Sequence, residues 1–374
     1  MIVTYIYADN NTEWNCSYYN AIMPMRAFNR REEHESYAIS LQDFSENNPA
    51  TQNLIGRSDI IVVERNLFGD TLTMIQYWKV RNKNIVIVFD DGYDIIEPTN
   101  KSYNFWTKGE LKRINPQTQE EDAEYMNPLP ITQLRWGMQL GKAATLPSEN
   151  LCKDWGKYTK TFHVRNSIEL ERYENITPLF PHSKKELWIG WCGSLSHLSS
   201  FTTSGILPAM VRVVNDLSNV KILIGGDKRI YDSIDVDVSK KSFTPHVSVP
   251  DFPKLLKSFD IPLAPLHSEY DMRRSWIKVI EYMILQIPWI ATDCITYRDL
   301  KGFGKLIDNS EESWYNAIID MVEHIDDARE FAKGKPYEFA KAQCIDNQLD
   351  GRVKIYEEIM AMDYPDRYMK NESI

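Results

Sequence analysis

The sequence is poor in cysteine, and its five cysteines follow no pattern that would join them. They are odd in number and widely spaced, and no two form a Cys-x-x-Cys pair. Such a set argues against a disulfide framework and offers none of the spacings of a structural zinc site. The cysteine content therefore predicts a protein of the reducing cytoplasm.

Long hydrophobic runs and excess positive charge are also missing. The amino-terminal stretch MIVTYIYADNN has no basic segment before an apolar one, and no later stretch approaches the roughly 18 apolar residues of a membrane span. We therefore expect a soluble intracellular protein without an integral membrane segment. The formal net charge of −10 argues against broad binding to nucleic acid or anionic membrane, although not against a local basic patch.

A chain of 374 residues exceeds what one ordinary core holds, so two domains are expected. Strand-like and helix-like patterns alternate, which is typical of parallel sheets with helices on their faces. The predicted strands are residues 2–8, 60–64, 84–89, 143–146, 160–166, 187–193, 220–226, 260–266 and 289–292. The sequence thus predicts an α/β protein with two doubly wound, Rossmann-like domains and a helical carboxy-terminal segment.

The predicted boundaries follow from composition. Residues 1–170 form the first domain, residues 171–186 a charged linker with two prolines, and residues 187–345 the second domain. Residues 346–374 are expected to form a carboxy-terminal helix, with packing back onto the first domain as one arrangement. Within the first domain, residues 97–130 break the rhythm and predict an excursion or mobile loop. Its basic and aromatic residues either grip an acceptor or form a surface loop with a hydrophobic anchor.

The stretch 259–293 carries the strongest functional signal. It is predicted to form a strand, a polar loop, a helix over about 274–285 and another strand. On that helix Ser275, Lys278 and Glu281 recur at every third residue, so they share one stripe among apolar neighbours. A helix that is apolar around most of its circumference is buried, so its polar stripe must face a partner, a ligand or a cleft. A simple ion pair of Lys278 with Glu281 is the alternative.

The loop after the strand 187–193 contains further candidate binding residues, because α/β sheets hold ligands at the ends of their strands. Gly193 and Ser194 open this loop, and His197 lies within it. The glycine either satisfies a turn or brings main-chain N–H groups close to a phosphate. His197 is either a structural histidine or a donor to a phosphate oxygen or a leaving group.

Asp90 and Asp91 follow the strand 84–89 directly, so they also lie at the end of a predicted strand where ligands bind. Adjacent carboxylates at this edge serve as acceptor contacts, helix caps or metal ligands. With no third carboxylate or histidine beside them in the sequence, a metal site is not expected. We interpret both as acceptor-side residues. The pair Glu64–Arg65, which ends the preceding strand, is interpreted as a salt bridge across the cleft.

Four segments together resemble the retaining GT-B glycosyltransferases, the group 1, family 4-like nucleotide-sugar enzymes. IGWCGSLSH (189–197) looks like the strand and turn that face the donor diphosphate, and SWIKVIEYMILQIPWIATD (275–293) is similar to their nucleotide-sugar segment. VFDDGYDIIEP (88–98) and HVRNSIE (163–169) look like two strand ends of their first domain. The resemblance implies a GT-B fold, with the donor held mainly by the second domain and the acceptor by the first.

By this resemblance, Glu281 would accept hydrogen bonds from the ribose hydroxyls of the donor nucleotide. Lys278 would lie near the diphosphate or support Glu281, and Ser275 would offer its hydroxyl to phosphate. The donor-binding residues implied in this way are Gly193, Ser194, Arg274, Ser275, Lys278 and Glu281.

The sequence departs from the family pattern at Arg273. The common motif has a carboxylate eight residues before the ribose glutamate, where it contacts the transferred sugar, and this chain has arginine. Either Asp271 or Glu269 takes over that role, or the donor sugar is unusual. The candidate catalytic residues are Asp271, His197 and Asp91. The basic residues often found after the family's turn are also missing, and Arg273, Arg274, Lys228 or Arg229 would supply the phosphate-binding charge.

The resemblance implies a glycosyltransferase that transfers a sugar from a nucleotide-diphosphate donor to an acceptor hydroxyl, with retention of configuration. Neither a metal nor a resident cofactor is expected, since the nucleotide sugar is a co-substrate. The expected acceptor is a glycan, a protein or modified DNA, the last being the substrate of some viral enzymes. A different class of function is a non-catalytic nucleotide-sugar-binding or assembly subunit, which the Arg273 departure favours. The oligomeric state is left open.

Overall fold

The computed structural model of the chain describes residues 1–10, 15–114, 121–181, 183 and 185–364. The chain divides into two compact units. The first unit comprises Met1–Pro98, Ser102–Asn166 and Ile345–Ile374, and the second comprises Thr99–Lys101 and Ser167–Cys344. In the described part of the chain, no helix combines the length and the apolarity needed to cross a bilayer.

The first unit is built on a six-stranded parallel sheet with the order β2-β1-β3-β4-β7-β8. The strands are β1 (Ile2–Tyr7), β2 (Glu35–Ser40), β3 (Ile60–Glu64), β4 (Asn84–Val88), β7 (Ala143–Leu146) and β8 (Lys160–His163). The central strand β3, of sequence IIVVE, is buried along its whole length, as expected for a parallel strand covered on both faces. The edge strand β2, of sequence ESYAIS, was not predicted, because its mixed polar composition suits a half-exposed edge.

Helices surround this sheet, and the carboxy-terminal helix is one of them. Tyr5, Phe28 and Tyr356 meet in its core, and the Tyr5 and Tyr356 hydroxyls lie 3.2 Å apart. The helical segments are Asn15–Ser17, the π-helical turn Tyr18–Ile22, Met23–Asn29, Leu41–Glu46, Pro49–Arg57, Asp70–Lys79, Tyr103–Lys108, Pro130–Leu140, Glu149–Trp155 and Ile345–Ala361.

The segment 97–130, predicted as an excursion or mobile loop, contains regular structure. The helix Tyr103–Lys108 is followed by an antiparallel pair, β5 (Glu110–Ile114) and β6 (Glu121–Tyr125). Trp106 is buried and stacks on Tyr93 with 4.2 Å between the ring centroids. Buried aromatic surface therefore anchors the segment, which agrees with the interpretation as a surface element with a hydrophobic anchor.

The second unit repeats the plan with the parallel order β11-β10-β9-β12-β13-β14. The strands are β9 (Leu187–Gly193), β10 (Val220–Gly226), β11 (Lys241–Thr244), β12 (Ile261–Ala264), β13 (Ile290–Thr292) and β14 (Lys305–Ile307). The helices are Leu198–Thr203, Ile206–Asp216, Lys228–Asp232, Phe252–Leu256, Ile277–Ile284, Glu311–Glu323, Ile325–Ala332 and Lys335–Ala342. The predicted bounds of β9 and β10 are confirmed, whereas the short edge strands β11 and β14 were missed.

The structure assigns residues 171–186, interpreted above as a linker, to the second unit. Tyr173 is buried in that unit's core, and Ile176, Leu179 and Phe180 pack against it. Apolar residues spaced through a charged stretch thus hold this segment on the second unit. The two sheets with their flanking helices confirm the predicted fold class, two doubly wound α/β units.

Candidate functional site

The candidate site lies at the carboxyl ends of β9 and β12 in the second unit. These neighbouring strands mark the point where the winding of the sheet reverses, because the chain continues from β9 to β10 on one side and reaches β12 on the other. In doubly wound sheets, loops at such a point diverge and leave a crevice in which ligands bind. The loops that leave β9 and β12 here contain most of the predicted donor-binding residues.

Two glycines allow the ends of β9 and β10 to come close together. A Cβ on Gly226, whose φ is +103°, would lie 2.2 Å from the Gly193 carbonyl oxygen. A Cβ on Gly193 would lie 2.8 Å from the Trp191 ring. Packing alone therefore requires both glycines. The presence of Gly193 does not by itself indicate a phosphate-binding site. Ser194 follows, and its hydroxyl is 2.7 Å from that of Ser196.

Arg274 joins the two loops. Its Nε donates to Asp271 Oδ1 at 2.8 Å, and its Nη2 donates to the Ser196 carbonyl oxygen at 2.9 Å. Its Nη1 lies 3.2 Å from His197 Nε2, and the guanidinium lies over the Tyr270 ring, 4.8 Å from the centroid. Only 13% of the side chain is exposed. A planar guanidinium held at several atoms gives a rigid cationic centre at the edge of the sheet.

Asp271 is the buried anchor of this centre. The residue is 1% exposed, and Oδ1 accepts from Arg274. Its Oδ2 accepts from the Ser200 hydroxyl, from the His267 main chain at 3.2 Å and from the Ser268 main chain at 3.4 Å. A carboxylate that is satisfied on both oxygens stabilises the loop and orients Arg274. Its predicted contact with the transferred sugar stays a prediction, which this degree of burial does not favour.

His197 is held as a neutral ring. Burial, together with the nearby charges of Arg274 and Lys278, holds its pKa well below the usual range. Since an arginine N–H can only donate, His197 Nε2 is the acceptor, and the network assigns the proton to Nδ1. Among the described residues, Nδ1 has no hydrogen-bond partner. His197 therefore carries no positive charge, and its Nδ1 is a buried donor.

The predicted polar stripe is shorter than expected. The helix begins at Ile277 rather than near residue 274, so Ser275 lies before it and its hydroxyl accepts from the Ile277 main chain at 3.3 Å. Ser275 thus serves its own turn and does not belong to the helical stripe. The predicted stripe of three residues is wrong in this respect, because the serine side chain competes with the helical hydrogen bonds at this position. Its predicted contact with phosphate is untested.

Lys278 and Glu281 do lie on one face of the helix, and each has a partner on another element. Lys278 Nζ donates to the Cys192 carbonyl oxygen of β9 and lies 4.9 Å from the centroid of the Trp191 ring. Burial lowers the pKa of this lysine. Glu281 is 3% exposed, and its Oε1 accepts from the Tyr173 hydroxyl at 2.7 Å. The helix therefore carries a lysine and a glutamate in the interior of the unit, next to the end of β9.

The remaining charged candidates pair with neighbours at the surface. Arg273 forms an ion pair with Glu269, whose side chain is 84% exposed, so Glu269 faces solvent and its neighbour. Lys228 and Arg229 pair with Asp232 and Asp227, and both basic side chains are more than half exposed. Of the four basic residues considered for the phosphate charge, Arg274 is the one tied to both loops.

Asp90 and Asp91 lie in the first unit, where Asp90 forms part of a hydrogen-bonded network. Asp90 accepts from the amide groups of Asn20 at 2.5 Å and Asn166 at 3.0 Å. Burial raises its pKa, and the adjacent Asp91 carboxylate adds to the effect. Asp91 is partly exposed. Among the described residues, no three His, Cys, Asp or Glu side chains come together as a group that would hold a metal.

Glu64 forms the centre of a second network in the first unit, between the ends of β1 and β3. Its Oε2 accepts from the Ser17 hydroxyl at 2.5 Å and from the Ala8 main chain at 2.9 Å. Arg65 Nη1 donates to Oε1 at 2.7 Å, and Arg65 Nη2 pairs with Asp9. The Glu64–Arg65 ion pair thus forms within the first unit, and its predicted place across a cleft stays a prediction. Burial outweighs these partners and raises the pKa of Glu64 to about 7.

We expect the titration of Glu64 to lower the free energy of unfolding as the pH rises from about 4.5 to about 7. The unfolded chain loses this proton near pH 4.5 whereas the folded chain keeps it to about pH 7, so the folded state binds more protons in between. The Glu64→Gln variant lacks this titration. The unfolding free energy of the wild type, minus that of the variant, should fall by at most about 1.4 kcal/mol per pH unit across the window.

Urea unfolding at pH 5, 6, 7 and 8 measures this difference. Glu357→Gln, an exposed glutamate of the same unit, is the control and should show no such trend. A Glu64→Gln difference that is constant with pH would contradict the assignment.

Comparisons with known proteins concern the second unit and the overall fold. Residues 187–324, all within the second unit, match the family model described as Glycosyl transferases group 1. Sucrose-phosphate synthase from Thermosynechococcus elongatus aligns over 96% of this chain and 99% of its own, with a TM-score of 0.63 and 11% identity. The chain has a GT-B fold.

Other solved GT-B neighbours are equally distant in sequence. HepE from Anabaena, in complex with UDP and glucose, aligns over 96% of this chain and 99% of its own at 10% identity, with a TM-score of 0.59. A UDP-N-acetylglucosamine 2-epimerase aligns over 98% and 99% at 12% identity, with a TM-score of 0.53. At such identities the likeness establishes the fold alone. A search of curated protein sequences found no match.

On this GT-B fold, the second unit brings together Gly193, Ser194, His197, Asp271, Arg274, Lys278 and Glu281, whereas Asp90 and Asp91 belong to the first unit. Ser200 and Tyr173 also take part and were not predicted from the sequence. Ser200 was missed because a serine-rich loop gives no sign of which hydroxyl turns inward, and Tyr173 because it falls in a stretch interpreted as a linker. The apolar residues Ile168, Leu170 and Tyr173, spaced among charges, were the available signal.

Proposed function

We propose that the protein is a glycosyltransferase that binds a nucleotide-diphosphate sugar at the ends of β9 and β12 and transfers the sugar to an acceptor hydroxyl. The observation that carries the proposal is the arrangement around Arg274 and Glu281. It combines a fixed guanidinium with a buried carboxylate inside the segment that matches the group 1 model. A site for a nucleoside diphosphate needs both, a cation for phosphate and an acceptor for ribose hydroxyls.

Each residue has a proposed role. Glu281 accepts from the ribose, while Arg274 and Lys278 face the diphosphate. His197, which is neutral, accepts from Arg274 through Nε2 and helps to orient that guanidinium. When the bond between the anomeric carbon and the phosphate oxygen breaks, negative charge develops on the diphosphate, and donors that are already in place stabilise it. Asp271 acts indirectly by holding Arg274.

We further propose that transfer proceeds with retention and requires neither metal nor resident cofactor. The resemblance to retaining enzymes supports the first point, and the two basic side chains support the second, since they offer the charge that a metal would otherwise supply. On retention, the acceptor oxygen bonds the anomeric carbon on the face that the diphosphate leaves, and the departing phosphate oxygen takes the acceptor proton. Asp91 is the proposed acceptor contact, with Asp90 supporting it.

A binding screen followed by an activity assay tests the proposal. UDP-, GDP-, ADP-, CMP- and dTDP-sugars are added in EDTA, and thermal unfolding is measured. A ligand at a hundred times its Kd should stabilise the fold by about 2.7 kcal/mol. Release of nucleoside diphosphate is then measured with glycan, peptide and modified-base DNA acceptors, and NMR reports the anomeric configuration of the product.

One alternative function has an observation in its favour. Among the structural neighbours is an epimerase that acts on a nucleotide sugar, UDP-N-acetylglucosamine. Epimerisation would show as a new sugar isomer without any acceptor. Donor binding without turnover would indicate a non-catalytic subunit. If no nucleotide sugar binds with or without added metal, the proposed function is wrong and only the fold is shared.

A further inference from the structure

The Tyr173 hydroxyl forms a hydrogen bond with the carboxylate that we assign to the ribose. Tyr173 Oη donates to Glu281 Oε1 at 2.7 Å, and the two residues are 8% and 3% exposed. A hydrogen bond of this length between a hydroxyl and a carboxyl group, with both residues buried, is among the stronger side-chain contacts. It fixes which way the Glu281 carboxylate points.

The position of Tyr173 is itself fixed by the second unit. It ends the short turn Leu170–Tyr173, and Arg172 beside it donates to the Val249 carbonyl oxygen at 3.1 Å. A few residues earlier, Ile168 pairs with Cys344 as an isolated β-bridge. The Tyr173 ring packs in the same core cluster as the helix that carries Glu281. The phenol is thus held by the anchored segment that precedes it and by the packing of its own ring, so it is well suited to orient a neighbouring group.

We propose that Tyr173 is a positioning residue that sets the selectivity of the site for ribose over deoxyribose. The proposal rests on the proposed function, in which Glu281 accepts from the ribose hydroxyls. A carboxylate that rotates freely can accept from one or two hydroxyls in many orientations. A carboxylate whose Oε1 is held by a hydrogen bond offers the ligand a single orientation. Loss of the ribose hydroxyl then leaves a buried, oriented acceptor without its ligand partner, which costs affinity.

The Tyr173→Phe variant tests this, because it keeps the ring and removes only the hydroxyl. Binding of UDP and GDP is measured by calorimetry beside their 2′-deoxy and 3′-deoxy counterparts. We expect Tyr173→Phe to weaken the ribonucleotide by about tenfold and to weaken at least one deoxy counterpart much less. The ratio of ribo to deoxy affinity should therefore collapse toward one. A purely structural role would weaken all nucleotides alike and leave that ratio unchanged.

Tyr315→Phe is a matched control. Its hydroxyl also donates to a carboxylate, that of Asp216 at 2.8 Å, but on the surface of the same unit and away from the site. It should leave both affinities unchanged. The double variant Tyr173→Phe/Glu281→Gln provides a second test. If Tyr173 acts through Glu281, the double variant should bind no more weakly than Glu281→Gln alone.

The outcomes separate this inference from the proposed function. If the wild type binds no nucleotide, both fail. If the wild type binds and Glu281→Gln weakens binding, but Tyr173→Phe keeps the wild-type ratio of ribo to deoxy affinity, the proposed function stands and the role of Tyr173 is overturned. The role of Tyr173 would also be overturned if the affinity lost by the double variant equalled the sum of the losses in the two single variants.

Discussion

Replacing Arg274 by alanine is expected to destabilise the second unit by about 3–5 kcal/mol and to abolish turnover of a nucleotide-sugar donor. The reason is the burial of its partner. Asp271 is 1% exposed, and without the guanidinium its charge stays in the interior with only neutral hydrogen-bond donors. The substitution also removes the hydrogen bond to Ser196 and the contact with His197, so the loop after β9 loses its tie to the loop after β12. Urea unfolding and donor hydrolysis measure the two effects.

A second substitution separates stability from function. In the variant Asp271→Asn/Arg274→Ala the uncompensated charge is gone, so most of the lost stability should return while turnover stays absent. Arg212→Ala is the control. Its ion pair with Glu312 is exposed, with side chains 41% and 64% accessible, so its loss should leave the urea midpoint close to that of the wild type. An Arg274→Ala variant that unfolds at the wild-type urea concentration would contradict the role assigned to the pair.

Glu281→Gln is expected to weaken nucleotide binding by about a hundredfold or more while the fold is retained. Glutamine has the same shape, and its amide oxygen still accepts from the Tyr173 hydroxyl. It lacks the negative charge that strengthens the bonds to ribose hydroxyls, and its amide N–H2 meets one hydroxyl as a donor instead of an acceptor. Calorimetric titration of nucleoside diphosphates measures the change.

Glu323→Gln, an exposed glutamate of the second unit, is the control for Glu281→Gln and should bind as the wild type does. Thermal unfolding without ligand should be similar for the two variants. Equal nucleotide affinities in wild type and Glu281→Gln would remove Glu281 from the site.

The sequence predicted the central strands better than the edges, for a physical reason. Strands such as β3, β9 and β10 are covered on both faces, so they appear as continuous apolar runs with clear ends. The edge strands β2 and β11 have one open side and a mixed composition, which resembles that of a loop. Their pairing depends on a neighbour that is distant in the sequence, and local pattern alone does not reveal it.

The candidate site was predictable in location and less so in detail. Periodicity identified Lys278 and Glu281, because two polar residues on an apolar helix stand out. It placed Ser275 on the same stripe, although that serine precedes the helix and its hydroxyl accepts from the Ile277 main chain. Nothing in the spacing indicated that Asp271 would be fully buried beneath Arg274, or that Tyr173 would reach Glu281. Those contacts arise from tertiary packing between segments far apart in the chain.

Hydrogen–deuterium exchange with and without a nucleoside diphosphate shows whether the donor binds at the ends of β9 and β12. Wild type with UDP or GDP is compared with Glu281→Gln under the same conditions. We expect slower amide exchange in residues 193–203 and 267–281 of the wild type, and no such change in the variant. Slower exchange confined to the first unit, or none at all at saturating nucleotide, would contradict it.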